Sequence, residues 1–214
     1  MRFLITAGPT REPIDPVRYI SNRSSGKMGY AIAEAAIEAG HEVVLISGPV
    51  GLNRPRAAAV IPVSTSDQMF DAVQQQTRNC DVLVMCAAVA DYKPVAVFTK
   101  KLKKRDAKLS LELIPTRDIL ASLPKSRKYF VAGFAAETDS IETNARKKLL
   151  KKNCDVIIAN DARIGMESDE NEVEIYFRNG EKKKISRASK KIVAHELIKI
   201  FEKYFEKRLT KKTQ

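Results

Sequence analysis

Histidine occurs only twice in these 214 residues, at His41 and His195, and tryptophan does not occur at all. His41 falls in a turn and His195 in a C-terminal helix, which disfavours a histidine base or a histidine metal centre. The three cysteines, Cys80, Cys86 and Cys154, cannot all pair, and their spacing fits no zinc pattern. Cys80 and Cys154 open apolar runs and read as buried thiols. The sequence has no apolar run long enough to cross a bilayer and no basic segment leading into an apolar one at the N-terminus. A cytoplasmic protein with no membrane partner is therefore expected. A hydrophobic content of 44% still suffices for one good core.

Acidic residues fall short in one half only. Up to Thr99 nine Lys/Arg face nine Asp/Glu, so the whole net charge of +12 lies from Lys100 onward. That asymmetry suggests an anionic partner, either a polyphosphate nucleotide or nucleic acid, with a solvated basic surface as the plain alternative. No nucleic-acid recognition motif is present and aromatics are not interleaved with the basic runs, so no nucleic acid is expected.

Two phosphate-binding signatures are missing as well. The strand Phe3-Leu4-Ile5 breaks at Ala7-Gly8-Pro9 without G-x-G-x-x-G, and the second strand runs into Ser47-Gly48-Pro49 rather than a ribose-binding acid. Gly26-Lys27 resembles the end of a P-loop, but Ser21 stands where its first glycine belongs and Met28 where its hydroxyl belongs. What remains is a strand, a polar loop and a helix N-terminus, the layout that meets anions at a sheet's carboxyl edge. Thr6, Thr10, Ser21, Asn22, Ser24 and Ser25 offer hydrogen bonds there, and Arg11, Arg18, Arg23 and Lys27 offer charge.

Beyond this loop, strand and helix patterns alternate. A helix over Met28–Ala39 closes at Gly40, and strands follow at Glu42–Ile46 and Ala59–Val63. Ser66-Asp67 cap a helix with Met69, Phe70 and Val73 inward, and the strand Cys80–Met85 delivers Cys86–Asp91 to the carboxyl edge. Lys100–Arg105 reads either as a solvated turn or as a mobile cationic lid over phosphates. Leu109–Ile114 reads as a half-exposed strand, Thr116 as the cap of a helix from Arg117-Asp118, and Tyr129–Phe134 as a strand. The helix Asp139–Asn153 carries Lys148 and Lys152 on one face, ahead of a strand at Val156–Ala159. Val173–Ile185 forms a hairpin around Asn179-Gly180, Ala188–Phe205 a helix, and residues 207–214 a basic disordered tail.

The expected fold is α/β: a doubly wound, mostly parallel Rossmann-like sheet with an added C-terminal β-hairpin meander and a terminal helix. One domain should cover residues 1–206, with the hairpin inserted at about 171–186. Its carboxyl edge would hold hydroxyls, amides, small residues and cations but no nucleophile–base pair, an inventory suited to phosphoryl or nucleotidyl chemistry.

The runs TAGPTREPIDPVRYISNRSSGKMG, AAVADYKP and GFAAETD resemble the phosphopantothenate–cysteine ligase family of coenzyme A biosynthesis, in matching order over nearly the whole chain. The resemblance implies condensation of 4′-phosphopantothenate with L-cysteine through an acyl-nucleotidyl intermediate. The nucleotide is CTP in the bacterial branch and ATP in the eukaryotic one, with Mg²⁺ as cofactor. It implies catalytic roles for Asn22, at the acyl intermediate, and for Lys101. It places nucleotide binding at Asp91, Lys101, Asp118, Phe134, Lys148 and Lys152, to which the anion-binding loop adds Gly8, Thr10, Ser24, Ser25 and Gly26. Ala87 and Ala88, with Asn22, fall beside the acyl group. Arg117 departs from the asparagine of bacterial relatives, and the resemblance assigns no metal ligand. It also implies a homodimer, with the Val173–Ile185 hairpin at the contact, and a phosphopantothenoylcysteine decarboxylase that is either a separate partner chain or a domain missing from a truncated sequence. The alternatives are a nicotinamide-dependent oxidoreductase, which would lack its fingerprint glycines, and a basic nucleic-acid-binding module.

Overall fold

A computed structural model describes residues 1–104, 108–161 and 168–210, with side chains as far as Lys207. Strand β1 (Arg2–Ala7) is buried on both faces, as a central parallel strand must be. Phe3 and Ile5 join one core layer and Leu4 the other. The chain then makes a small hairpin of β2 (Arg11–Pro13) and β3 (Tyr19–Ser21) before α1 (Lys27–Glu38), β4 (Glu42–Ser47) and β5 (Ala58–Pro62). Helix α2 (Ser66–Gln76) leads to β6 (Val82–Met85). A short ribbon follows, in which β7 (Tyr92–Pro94) pairs antiparallel with β8 (Leu113–Pro115). The last elements are β9 (Phe130–Glu137), α3 (Ile141–Lys151), β10 (Val156–Asp161), β11 (Glu170–Phe177), β12 (Lys182–Ser189) and α4 (Lys190–Thr210).

The main sheet has the order β12-β11-β10-β9-β6-β1-β4-β5. Its pairings from β5 to β10 are parallel, and those of β11 and β12 antiparallel. Helices α1 and α4 cover one face through Ile32, Ala36, Leu197 and Phe201. Helices α2 and α3 cover the other, with Met69, Val73 and Leu149 buried. The chain starts at the sheet's centre, winds out to β5 and returns at β6 beside β1, so the topological switch point lies at the carboxyl ends of β1 and β6. No described helix is long and apolar enough to cross a membrane.

Several local expectations change. No helix forms at Arg117-Asp118. Asp118 instead closes one turn, its Oδ1 accepting from Ala121 N–H at 3.0 Å, and the Thr116 hydroxyl donates to the Ala90 carbonyl rather than capping. Pro115 and Pro124 bracket this stretch, and a proline disfavours helical geometry in the residue before it. The strand expected from Leu109 shrinks to Leu113–Pro115. Thr65, in a capping box with Gln68, caps α2 in place of Ser66-Asp67. Helix α4 continues to Thr210, beyond Lys207 where a disordered tail is expected, while residues 211–214 lie outside the described residues. The C-terminal hairpin extends the main sheet, because β11 pairs with β10, and β12 forms the sheet's edge.

Candidate active site

Past Ala7 the chain from β1 stays zipped to the segment that leaves β6. Ala88 N–H donates to the Gly8 carbonyl at 2.9 Å, Ala90 N–H to Thr10 Oγ1 at 2.9 Å, and Ala87 N–H to Thr6 Oγ1 at 3.1 Å. Thr10 is thereby buried, and its hydroxyl serves to hold the Ala87–Ala90 run. Asn22 ties the loop after β3 to the same run, its amide nitrogen donating to the carbonyls of Ala88 at 3.2 Å and Val89 at 3.0 Å. The amide nitrogen is thus turned to the protein, so Oδ1 is the group Asn22 has left for a ligand.

Helix α1 begins tightly over this junction. Gly26 sits at φ +77°, where a Cβ would also come within 2.7 Å of Val50 Cγ1, and a Cβ on Gly29 would stand 2.5 Å from that of Ala7. The loop and helix therefore reproduce two tasks of a dinucleotide-binding turn, close backbone approach and close helix–strand packing. The glycines doing so are separated from Gly8 by the inserted β2–β3 hairpin, which hides the fingerprint in the sequence. The N-cap residue Gly26 has no side chain to cap the helix and the first turn holds no acid, so the helix dipole favours an anion there. Ser24 and Ser25 fold back to accept from the N–H groups of Gly26 and Lys27 at 3.3 and 3.5 Å.

Three cavities adjoin the junction. The first, about 110 Å³, is lined by Ser24, Ser25, Gly26, Cys86, Ala88 and Phe134, and by Lys190, which the sequence does not single out. The second, about 330 Å³, brings together Asp91, Asp118, Lys148 and Lys152 from three separate stretches. The third, about 450 Å³, holds Asn22, Arg11 and Arg23. Phe134 links the first two, since its carbonyl accepts from Lys148 Nζ at 2.8 Å. Lys101 lies in the exposed segment after Thr99, and Arg105 lies outside the described residues.

Charge is tuned unevenly around these walls. Burial holds the Lys148 ammonium below the ordinary lysine pKa, only partly offset by Glu137. Burial works against the Asp118 carboxylate, but its ion pair with Lys152 and the Ala121 N–H outweigh it and keep its pKa below the usual value. Asp91 makes no side-chain hydrogen bond among the described residues, and its negative charge reaches Lys148. Arg117 turns away to Asp67 at 3.0 Å and Asp71 at 2.9 Å, with its guanidinium 3.9 Å over the Phe70 ring. Its departure from asparagine thus builds a link to α2. Burial pushes the thiols of Cys80, Cys86 and Cys154 up to about 12, which removes a thiolate nucleophile at neutral pH. Both histidines join α1 or β1 to α4: His41 stacks on Phe3 and meets Glu202 at 2.8 Å, and His195 meets Glu38 at 2.6 Å.

Among the described residues no group of three or more His, Cys, Asp or Glu could hold a metal ion. Such a donor set suits a Mg²⁺ that arrives on nucleotide phosphates and takes one carboxylate from the protein, rather than one caged by side chains. Asp91 is the carboxylate available for that. Lys190 lacks any local sequence signal: it enters the first cavity because β12 ends where α4 begins, a placement only the antiparallel hairpin creates.

Residues 1–204 match the family model described as the DNA/pantothenate metabolism flavoprotein C-terminal domain. The chain is 48% identical over 200 residues to the coenzyme A biosynthesis bifunctional protein CoaBC of Bacillus subtilis, covering 91% of this chain and 49% of that protein. It is 43% identical over 190 residues to the Escherichia coli K12 protein of the same name, covering 85% and 47% respectively. The chain therefore spans about half the length of the curated relatives it matches. Among solved structures, the C-terminal domain of a CoaBC protein superposes with a TM-score of 0.84 at 44% identity, covering 96% of both chains.

Proposed function

The chain belongs to the DNA/pantothenate metabolism flavoprotein C-terminal domain family, and from that premise we propose that it is a phosphopantothenate–cysteine ligase working through an acyl-nucleotide. An oxygen of the phosphopantothenate carboxylate attacks the α-phosphorus of the nucleoside triphosphate, and pyrophosphate leaves. The cysteine amine then attacks the acyl carbon. The C–N bond forms, the C–O bond to the nucleotide breaks, and the nitrogen proton passes to solvent.

The observation that carries the reading is that the Lys148–Phe134 hydrogen bond joins two unlike cavities, Phe134 lining one and Lys148 the other. One is an uncapped helix N-terminus with hydroxyls and Lys190, and the other is a larger chamber with Asp91, Asp118, Lys148 and Lys152. The first suits a polyphosphate and the second a nucleoside whose ribose hydroxyls face carboxylates. Asn22, Ala87 and Ala88 stand at the junction, where small side chains leave room for an acyl group. Lys101 supplies a positive charge to the leaving phosphates, and Lys148 orients the nucleotide from the chamber wall. Mg²⁺ on the triphosphate would withdraw charge from the pyrophosphate, with Asp91 as its protein ligand. CTP is the proposed nucleotide, because the relatives at 43–48% identity named above are bacterial.

A phosphopantothenoylcysteine decarboxylase is the proposed functional partner, since the product retains the cysteine carboxylate. The proposed homodimer contact is the exposed apolar surface of the two small ribbons, Val17, Tyr19, Tyr92, Val97, Phe98 and Ile114, rather than the C-terminal hairpin. Two-stranded ribbons are marginal alone and need something to pack on. A monomeric mass at micromolar concentration would remove that contact. Nicotinamide-dependent and nucleic-acid-binding alternatives find no favouring observation. The activity itself is tested by incubating the protein with phosphopantothenate, cysteine, Mg²⁺ and CTP and looking for phosphopantothenoylcysteine by mass. Its appearance only with nucleotide supports the ligase, and its absence with both CTP and ATP removes it.

A further inference from the structure

Asp15 is a charged residue with no solvent-exposed side chain, and the reaction scheme leaves it unused. Its Oδ1 accepts from the N–H groups of Val17 and Arg18, both at 2.8 Å, which closes the turn between β2 and β3. Its Oδ2 does something a turn does not need. It accepts from the backbone N–H of Leu102 at 3.1 Å, 87 residues away, and from Arg18 Nη1 at 3.3 Å. Arg18 Nη2 in turn donates to the Leu102 carbonyl at 2.9 Å. Both backbone groups of Leu102 are thus gripped by one carboxylate–guanidinium pair. A second strap, Phe98 N–H to the Ile14 carbonyl at 2.9 Å, lies four residues earlier. Among the described residues these are the hydrogen bonds that hold the segment from Phe98 to Lys104 to the rest of the chain, and Lys101 is the residue next to the grip.

We propose that Asp15 is a positioning residue for Lys101: with Arg18 it clamps Leu102 and so fixes the root from which the lysine reaches the triphosphate. The proposal rests on the role given to Lys101 above. A lysine side chain is flexible, and a flexible point charge on an unanchored loop must be ordered at each turnover. Anchoring the adjacent peptide on both sides removes part of that cost while leaving the side chain mobile.

The test uses Asp15→Asn. An asparagine can keep an oxygen toward the N–H groups of Val17 and Arg18, but its NH₂ then faces the Leu102 N–H and the Arg18 guanidinium, donor against donor. Pyrophosphate release with CTP, phosphopantothenate and Mg²⁺ should lose roughly tenfold in kcat/KM for the nucleotide, the size of one hydrogen bond to a charged group. In a Lys101→Gln background the same change should cost nothing further, because a residue that acts through Lys101 has nothing left to position. Tryptic cleavage within Lys100–Lys104 should accelerate in Asp15→Asn while cleavage elsewhere stays at the parent rate. An equal penalty in both backgrounds, or unchanged cleavage at the lysines, overturns the clamp while leaving the ligase reading intact. Lys101→Gln at the parent rate removes Lys101 from the reaction and the clamp's function with it. Should Asp15→Asn fail to fold, Arg18→Lys keeps a charge beside Asp15, loses the bond to the Leu102 carbonyl, and must give the same pattern at smaller amplitude.

Discussion

The ammonium of Lys148 donates to the backbone carbonyl of Phe134 at 2.8 Å, tying the last turns of α3, which line the 330 Å³ cavity, to β9, whose Phe134 lines the 110 Å³ one. The lysine is half-buried, and burial pulls its pKa down against the opposing influence of Glu137. Lys148→Gln keeps a donor for the Phe134 carbonyl and removes only the charge. KM for the nucleotide should rise about tenfold to a hundredfold, the range for a charge-assisted hydrogen bond, with a smaller change in kcat. An unchanged KM would make the residue structural.

Gly29 has no room for a side chain, since its Cβ would stand 2.5 Å from the Ala7 Cβ. Gly29→Ala should push α1 off β1, lower unfolding free energy by about 1–3 kcal/mol and weaken nucleotide binding at the same time. Urea denaturation and nucleotide titration on one preparation check both; wild-type values in both would mean the helix can shift without consequence.

Asn22 presents Oδ1 to a ligand because its NH₂ is held by the Ala88 and Val89 carbonyls. Asn22→Asp should still allow the acyl-nucleotide to form but slow its consumption, because a carboxylate there keeps the incoming amine protonated and sets its second oxygen against the Ala88 and Val89 carbonyls, acceptor against acceptor. Rapid-quench detection of the intermediate should find it accumulating. Turnover at the parent rate would take Asn22 out of the mechanism.

His195 donates to the Lys191 carbonyl and pairs with Glu38, and both contacts raise its pKa. A raised folded-state pKa stabilises fully below the unfolded value, near 6.5, and the contribution fades as pH climbs through the folded value. The melting temperature of the parent protein should therefore exceed that of His195→Gln at pH 6, with the gap narrowing by pH 8. A constant gap would mean that packing, not protonation, sets the difference.

Much of the sheet was legible because buried parallel strands such as Val43–Ile46 and Val82–Met85 are continuous apolar runs between recognisable caps. What escaped depends on distant partners. The β2–β3 hairpin and the β7–β8 ribbon carry no local period, since each strand is three residues long. The turn at Asp118 looked helical because propensity could not reveal that Thr116 would be spent on the Ala90 carbonyl. At the site, Asp91, Asp118, Lys148 and Lys152 are legible as candidates and share one cavity. Thr10 carried the right chemistry for a ligand yet is consumed by the backbone of Ala90. Lys190 could not be foreseen, because the hairpin's register alone decides where α4 begins.

An acyl-nucleotide made before cysteine is used is the central step of the proposed reaction. The most direct measurement is pyrophosphate release with phosphopantothenate and Mg²⁺, run with CTP and with ATP, each with and without cysteine. The account predicts a burst of pyrophosphate stoichiometric with protein in the absence of cysteine, larger with CTP, and continuous release once cysteine is added. Release that strictly requires cysteine, or none with either nucleotide, would contradict it.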